Sequence, residues 1–393
     1  MSHWLDIVGV GEGGLSAEAT TLVANARTVL GPARFRSDLK HFVQWRPSLD
    51  AMLGQVAKLR GTPTVVLASG NPLWFGIGAT LSKHLSRDEF EVHPVPSSFQ
   101  LAASRLHWPL QHVTTLSLHG RPAELIHPHV TPGNRILALT SDNTTAPHVA
   151  RLLVERGYGR TVLTVLENLG GPAETVSFAE ATGFALPVGD FYVLAIDCAA
   201  DPGAPLLVPV PGLPDEAFVS DGQLTKREVR AATIAKLMPY PGALLWDVGA
   251  GCGSIGIEWM RAARDARAIA FEREGERLQM IAVNADKLGV PALRIENGDA
   301  PRSFAGMPVP DAIFLGGDVA GETLFHACWS ALRRGGRLVA NAVTLEAEQA
   351  LYERQARRGG ERGRREVSVL DRLGEHRALR PRMAVTQWAG TKP

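Results

Sequence analysis

The stretch LLWDVGAGCGSIG, residues 244–256, decides the fold. An apolar run, Leu244 to Trp246, meets Asp247, and glycines follow at Gly249, Gly251, Gly253 and Gly256. Ile255, Ile257, Trp259 and Met260 then resume at a spacing that suits one face of a helix. Strand, tight glycine loop and helix form the opening unit of a doubly wound α/β domain. Glycines let the backbone turn sharply and approach a ligand with no Cβ in the way. The helix start adds unsatisfied N–H groups at the same place. A nucleoside-bearing cofactor is the expected guest.

The glycines fit two registers. Gly251-x-Gly253-x-x-Gly256 satisfies the dinucleotide fingerprint, which would make the chain an NAD-dependent oxidoreductase. Asp247-x-Gly249-x-Gly251-x-Gly253 resembles motif I of the class I S-adenosylmethionine-dependent methyltransferases. The strand Ala266 to Phe271 ends on Glu272, an acid placed for ribose hydroxyls in either reading. A third strand, Ala292 to Glu296, runs into Asn297-Gly298-Asp299-Ala300, which resembles the methyltransferase loop around the adenine. Asp247 and that loop favour methyl transfer.

Farther along, Asp311 to Leu315 is a fourth strand ending at Gly316-Gly317-Asp318, and Gly336 to Ala342 a fifth. Glu366 to Leu370 and Met383 to Trp388 read as an antiparallel hairpin closing the sheet; the resemblance to the class I methyltransferases, whose fold ends this way, implies the order 3-2-1-4-5-7-6. The Arg-rich piece between Arg354 and Arg365 reads as a solvated helix end or loop. Thr225 with Glu228 fits a capping box opening a helix through Leu237. Residues 201–213 are rich in proline without helical or strand period and read as a semi-rigid linker. The domains expected are 1–200 and 214–393.

In the first half, WLDIVGV (4–10) is a strand followed by glycines at Gly9, Gly11, Gly13 and Gly14. A dinucleotide reading fails there, because the next strand ends in Gly31-Pro32 with no acid for a ribose. VGVGEGG, SGNPLWFG, VPSSFQLAASRLHWP, SLHGR and ENLGGPAE, in that order, resemble the class III methyltransferases of the tetrapyrrole pathway over about residues 3–200. That family binds S-adenosylmethionine between two α/β lobes. One departure is Asn71, where the family usually has Asp after Ser-Gly; a charge is lost and the turn-forming capacity kept.

DGQLTKREVRA, WDVGAGCGSIGIEW, ENGDA and DAIFLGGDV resemble the decarboxylating precorrin methyltransferases that act at C15. With both sets present, the chain resembles the fused C5,15-methylating family of the cobalamin pathway. The resemblance implies methylation of precorrin-6Y at C5 and C15 with loss of carbon dioxide from the C12 acetate, giving precorrin-8X. It implies S-adenosylmethionine in each domain. The contacts it carries over are Thr225, Gly249, Ala250, Gly251, Cys252, Gly253, Glu272 and Ala300 in the second domain. In the first they are Gly9, Gly11, Ser69, Gly70, Asn71, Ser97 and Ser98. Lys226, Arg227 and Arg230 are candidates for the substrate's carboxylates, and Gly316 and Gly317, which end a strand at the carboxyl edge of the sheet where ligands bind, are further substrate candidates. Asp318 is the candidate for handling a proton.

Composition narrows the alternatives. The net charge of +1 provides no field toward nucleic acid or membrane. No basic–aromatic stripe supports a nucleic-acid methyltransferase. Cys198, Cys252 and Cys328 form no C-x-x-C, and the histidines have no metal-ligand spacing, so neither a disulfide framework nor a metal is expected. No basic-then-apolar leader precedes the first strand, and no apolar run is long enough for a membrane span. A cytoplasmic homo-oligomer acting on a small-molecule tetrapyrrole is the expectation.

Overall fold

The computed structural model describes residues 3–36, 39–46 and 48–393. The chain divides into two compact units, Met1–Arg121 with Pro132–Ala204, and Pro122–Thr131 with Pro205–Pro393.

The first unit holds two five-stranded sheets. One is built from β1 (Leu5–Val10), β2 (Thr28–Gly31), β3 (Phe42–Gln44), β4 (Thr64–Ser69) and β5 (Phe90–His93), in the order β3-β2-β4-β1-β5. All its pairings are parallel. Val8 and Val10 pack into one cluster and Leu5 and Ile7 into another, so β1 is buried on both faces and is apolar apart from Asp6. The second sheet comprises β6 (Val113–Ser117), β7 (Arg135–Leu139), β8 (Val162–Glu167), β9 (Thr175–Glu180) and β10 (Tyr192–Asp197), in the order β6-β7-β10-β8-β9. It is antiparallel except for β6 against β7.

The second unit is one seven-stranded sheet with a small hairpin. Its strands are β11 (Leu244–Val248), β12 (Arg267–Glu272), β13 (Arg294–Asn297), β14 (Ala312–Leu315), β15 (Arg337–Ala342), β16 (Glu361–Arg365) and, after the hairpin β17 (Ser368–Leu373) and β18 (His376–Pro381), β19 (Val385–Thr391). The sheet order is β13-β12-β11-β14-β15-β19-β16, which is 3-2-1-4-5-7-6 within this unit. Alternate residues feed two cores. Leu245, Ala270 and Phe314 face one side, Leu244, Trp246, Phe271 and Leu315 the other. Burying each such large side chain is worth about 1.5–3 kcal/mol.

Four expectations need correction. The sheet-closing partner of β19 is β16, Glu361–Arg365, and Glu366 to Leu370 falls mostly in β17, which pairs with β18. The Arg-rich piece begins as the expected helix end, the last turn of Leu345–Arg358 with Arg357 and Arg358 exposed, but then runs into this charged edge strand rather than a loop; edge strands carry charge to deter further pairing. Arg354 in that piece is buried, donating to the Val319 carbonyl with its guanidinium carbon 4.1 Å from the Phe325 ring centroid. The helix after the linker is Arg227–Leu237; its N-cap is Lys226, and no side chain caps it. The capping box at Thr225 does not form, because the helix starts a residue late for it. Finally, residues 201–213 form no helix or strand, yet Leu207 and Leu213 sit in the core of the second unit.

Candidate functional sites

In the second unit the glycine loop leaves β11 at Val248. Gly249, Gly251 and Gly253 all adopt left-handed backbone, with φ of 74°, 58° and 81°. A Cβ at Gly249 would stand 2.7 Å from the Gly317 nitrogen, so that glycine lets the loops after β11 and β14 touch. Gly249 and Ala250 both donate to the Phe271 carbonyl, tying the loop to β12. Cys252 is buried, with its carbonyl held at 2.9 Å by Asn284. Burial pushes its thiol pKa up, which suits a packing role.

Asp247 is completely buried. One carboxylate oxygen accepts the Gly256 N–H at 2.9 Å; the other, Oδ1, has no hydrogen-bond partner. Burial, with Glu272 nearby as a second negative charge, raises its pKa to about 7. Glu272, at the end of β12, accepts the N–H groups of Gly251 at 2.8 Å, Arg273 at 2.8 Å and Glu274 at 3.1 Å. Three donors on two oxygens leave acceptor capacity on a rigidly held carboxylate. A buried orphan acceptor, left-handed glycines and an anchored acid at the carboxyl ends of adjacent parallel strands fit a nucleoside cofactor with a cationic end.

Ala300 lies in the loop after β13 and packs against the aromatic core. Thr225 is half-buried before the helix Arg227–Leu237. Gly316 and Gly317 follow β14, with Gly316 donating to the Val248 carbonyl at 2.8 Å. Asp318 is exposed with φ of 45°, an uncommon backbone for a non-glycine residue, and any Cβ at Gly321 would collide with its carboxylate. A cavity of about 620 Å³ is lined by Asp221, Arg273 to Arg277 and Met280, and it contains none of the nominated residues.

Arg230 does not fit its nominated role. It is fully buried, donating to Glu258 at 2.6 Å, Asp215 at 3.1 Å, the Thr225 carbonyl at 2.5 Å and the Leu213 carbonyl. Every direction of the guanidinium is spent holding the segment before the helix, so it is structural. Lys226 is half-buried, with its amine 3.4 Å from the Gly222 carbonyl, and Arg227 is exposed.

In the first unit, a cavity of about 1060 Å³ is lined by residues from both sheets. It includes Gly11, Ser69, Gly70, Asn71, Ser97 and Ser98. Gly9 is not in the lining; a Cβ there would collide with the Gly70 carbonyl, so it is a close-approach glycine within β1. Asn71 Oδ1 accepts the Leu73 N–H at 2.9 Å, the turn expected of it. Ser97 caps the helix Ser98–Leu106 in a capping box with Gln100. Arg34, His119, Thr140, Asn168 and Tyr192 also line the cavity and were not nominated. His119 and Asn168 lie inside the quoted SLHGR and ENLGGPAE stretches, and that was their available signal. Arg34 and Tyr192 lie outside the motifs, and only the meeting of the two sheets reveals them.

One carboxylate–imidazole cluster lies at neither loop. His3, Asp6 and Glu91 bring ligand-type atoms within 4.8 Å of one another, and His93 Nε2 is 2.8 Å from Asp6. Sequence spacing could not expose it, since β1–β5 pairing sets Asp6 beside Glu91.

Residues 5–183 match the model of the tetrapyrrole (corrin/porphyrin) methylases, and residues 216–392 that of the precorrin methyltransferase domain. A precorrin-6Y C5,15-methyltransferase (decarboxylating) from Sinorhizobium sp is 45% identical, over 100% of this chain and 97% of that protein. The chain belongs to that family. The Mycobacterium tuberculosis protein of the same name is 38% identical, over 98% of this chain and 99% of the relative. A solved C-terminal domain of the Rhodobacter capsulatus precorrin-6Y C5,15-methyltransferase is 41% identical, covering 47% of this chain and 99% of that one, with a TM-score of 0.45. Family membership makes the chain a decarboxylating C-methyltransferase with two methyltransferase-type domains.

Proposed function

We propose that the chain methylates precorrin-6Y at C5 and C15 and releases carbon dioxide from the C12 acetate, each unit binding its own S-adenosylmethionine. In this reading the domain comprising residues 1–200 acts at C5 and the domain comprising 214–393 at C15. The observation that carries the two-site reading is that both units put glycine-bearing loops at the carboxyl ends of parallel strands: Gly11 and Gly70 after β1 and β4, Gly249 to Gly253 after β11. When bound, the cofactor supplies a methyl group on a positively charged sulfur.

The protein's own task is alignment, which can contribute several powers of ten in rate. Glu272 offers a fixed acceptor for hydroxyls. Ionised Asp247 offers a buried negative charge near the cationic end of the ligand. Lys226 and Arg227 remain the candidates for substrate carboxylates in this unit. Decarboxylation breaks the bond between the arm and its carboxyl carbon. The electron pair passes to the macrocycle, and a proton must then return to carbon; Asp318, exposed at the sheet edge, is assigned that transfer.

Isothermal titration of the full chain with S-adenosylhomocysteine should give two equivalents, and NAD none. One equivalent, or NAD binding alone, would overturn the two-site reading. Asp318→Asn should keep both equivalents while releasing carbon dioxide at least about tenfold more slowly. An unchanged rate removes Asp318 from the mechanism.

A further inference from the structure

We infer that Arg34 receives a carboxylate of the tetrapyrrole in the first unit, an assignment that rests on the methyl-transfer reading above. Arg34 belongs to the short 3-10 turn Ala33–Phe35 directly after β2, so the carboxyl edge of a parallel sheet delivers it to the cleft. Its guanidinium carbon stands 4.8 Å from the ring centroid of Phe35 and 4.8 Å from that of Phe191. Phe35 shares its turn, whereas Phe191 immediately precedes β10 in the other sheet. Both Arg34 and Phe191 line the cavity.

Aromatic faces attract the face of a guanidinium, which leaves its N–H edge to accept a partner. Among the described residues that edge has none: Arg34 makes no hydrogen bond and no ion pair. Other arginines of this unit are matched, Arg60 to Glu89 and Arg105 to Glu174, each at 2.5 Å. The nearby acids do not fill the role. Glu12 acts on Arg34 only at longer range, and Asp190 is engaged by the Asn143 N–H at 3.2 Å. Arg46, also in the lining, adds a second positive charge.

A planar fork flanked by rings is pre-oriented for a bidentate carboxylate, and charge-assisted bonds of this kind are stronger than neutral ones. At about 1060 Å³ the cavity slightly exceeds the usual range of about 300–1,000 Å³ for small-molecule sites, which gives a large acceptor room beside a nucleoside. A polycarboxylate ring presents many similar meso carbons. Fixing one carboxylate at Arg34 selects the edge of the ring that faces the donor.

The test uses the full chain, saturating S-adenosylmethionine and precorrin-6Y as the varied substrate, with C5 methylation followed by carbon-13 labelling. Arg34→Met should raise the KM for precorrin-6Y about 10- to 100-fold, the loss expected for a hydrogen bond to a charged group. The turnover number and the affinity for S-adenosylhomocysteine should hold. Arg34→Lys, which keeps charge but loses the fork, should fall between. An unchanged KM in Arg34→Met overturns the assignment and leaves the methyl-transfer reading intact. Loss of S-adenosylhomocysteine affinity would also overturn it, making Arg34 a clasp on the cleft. A wild-type chain inert toward precorrin-6Y would bring down both.

Discussion

Asp247 is where residue chemistry bears most directly on stability. A carboxylate with no partner on Oδ1 is costly to ionise in a buried site, and its pKa of about 7 expresses that cost. The unfolded value is near 3.8. Between these values the folded chain holds a proton that the unfolded chain has released, so stability falls as pH rises through the window and levels off above pH 7. Asp247→Asn keeps an acceptor for Gly256 and removes the titration. The variant should therefore gain on the wild type by about 2–3 kcal/mol between pH 5 and pH 8. Denaturant melts of the ligand-free proteins at the two pH values measure this; a gap that does not change with pH would refute the assignment. Arg230 teaches the opposite lesson. Its position beside Lys226 and Arg227 suggested a substrate cation, but Glu258 and Asp215 take its charge internally.

At the scale of elements, the glycine loop after β11 acts as a unit. Gly249 combines left-handed backbone with contact against the loop carrying Gly317. Gly249→Ala would add left-handed strain of roughly 1–2 kcal/mol and push the two loops apart. Full-chain titration with S-adenosylhomocysteine should then fall from two equivalents to one, the first unit's site surviving. Two retained equivalents would mean that this loop does not hold cofactor. The edge strand β16 is a second case. Its sequence ERGRR has no alternation of apolar residues, and its pairing with buried β19 alone gives it strand form.

At the scale of the molecule, self-association belongs to the proposed reading. Leu370, Leu373 and Leu379 on the hairpin β17–β18, with Met383 just after it, are each more than 60% exposed. Leu370 and Leu379 are directly paired across the hairpin, and exposed apolar side chains set together in this way mark an interaction surface. Light scattering should give a mass above one chain, and Leu379→Glu should lower it; a wild-type monomer would dismiss the oligomer. No helix among the described residues is long and apolar enough to cross a membrane. Cys252 and Cys328 are buried free thiols, and burial pushes Cys328 up to about 12, which suits packing rather than nucleophilic roles.

The sequence alone determined the α/β class from local signals and the family from its motifs, and the strand order of the second unit followed from that family resemblance, although the strand that closes the sheet was misplaced. Continuous apolar runs mark buried parallel strands, and glycines mark the turns between strand and helix. Tertiary structure decided what local signals do not encode. Charge on Arg230 and Arg354 looks like solvated surface until buried partners claim it. Likewise Arg34 has no motif, and its meaning comes from Phe191, which lies far along the chain and reaches it only when two sheets meet around one cleft.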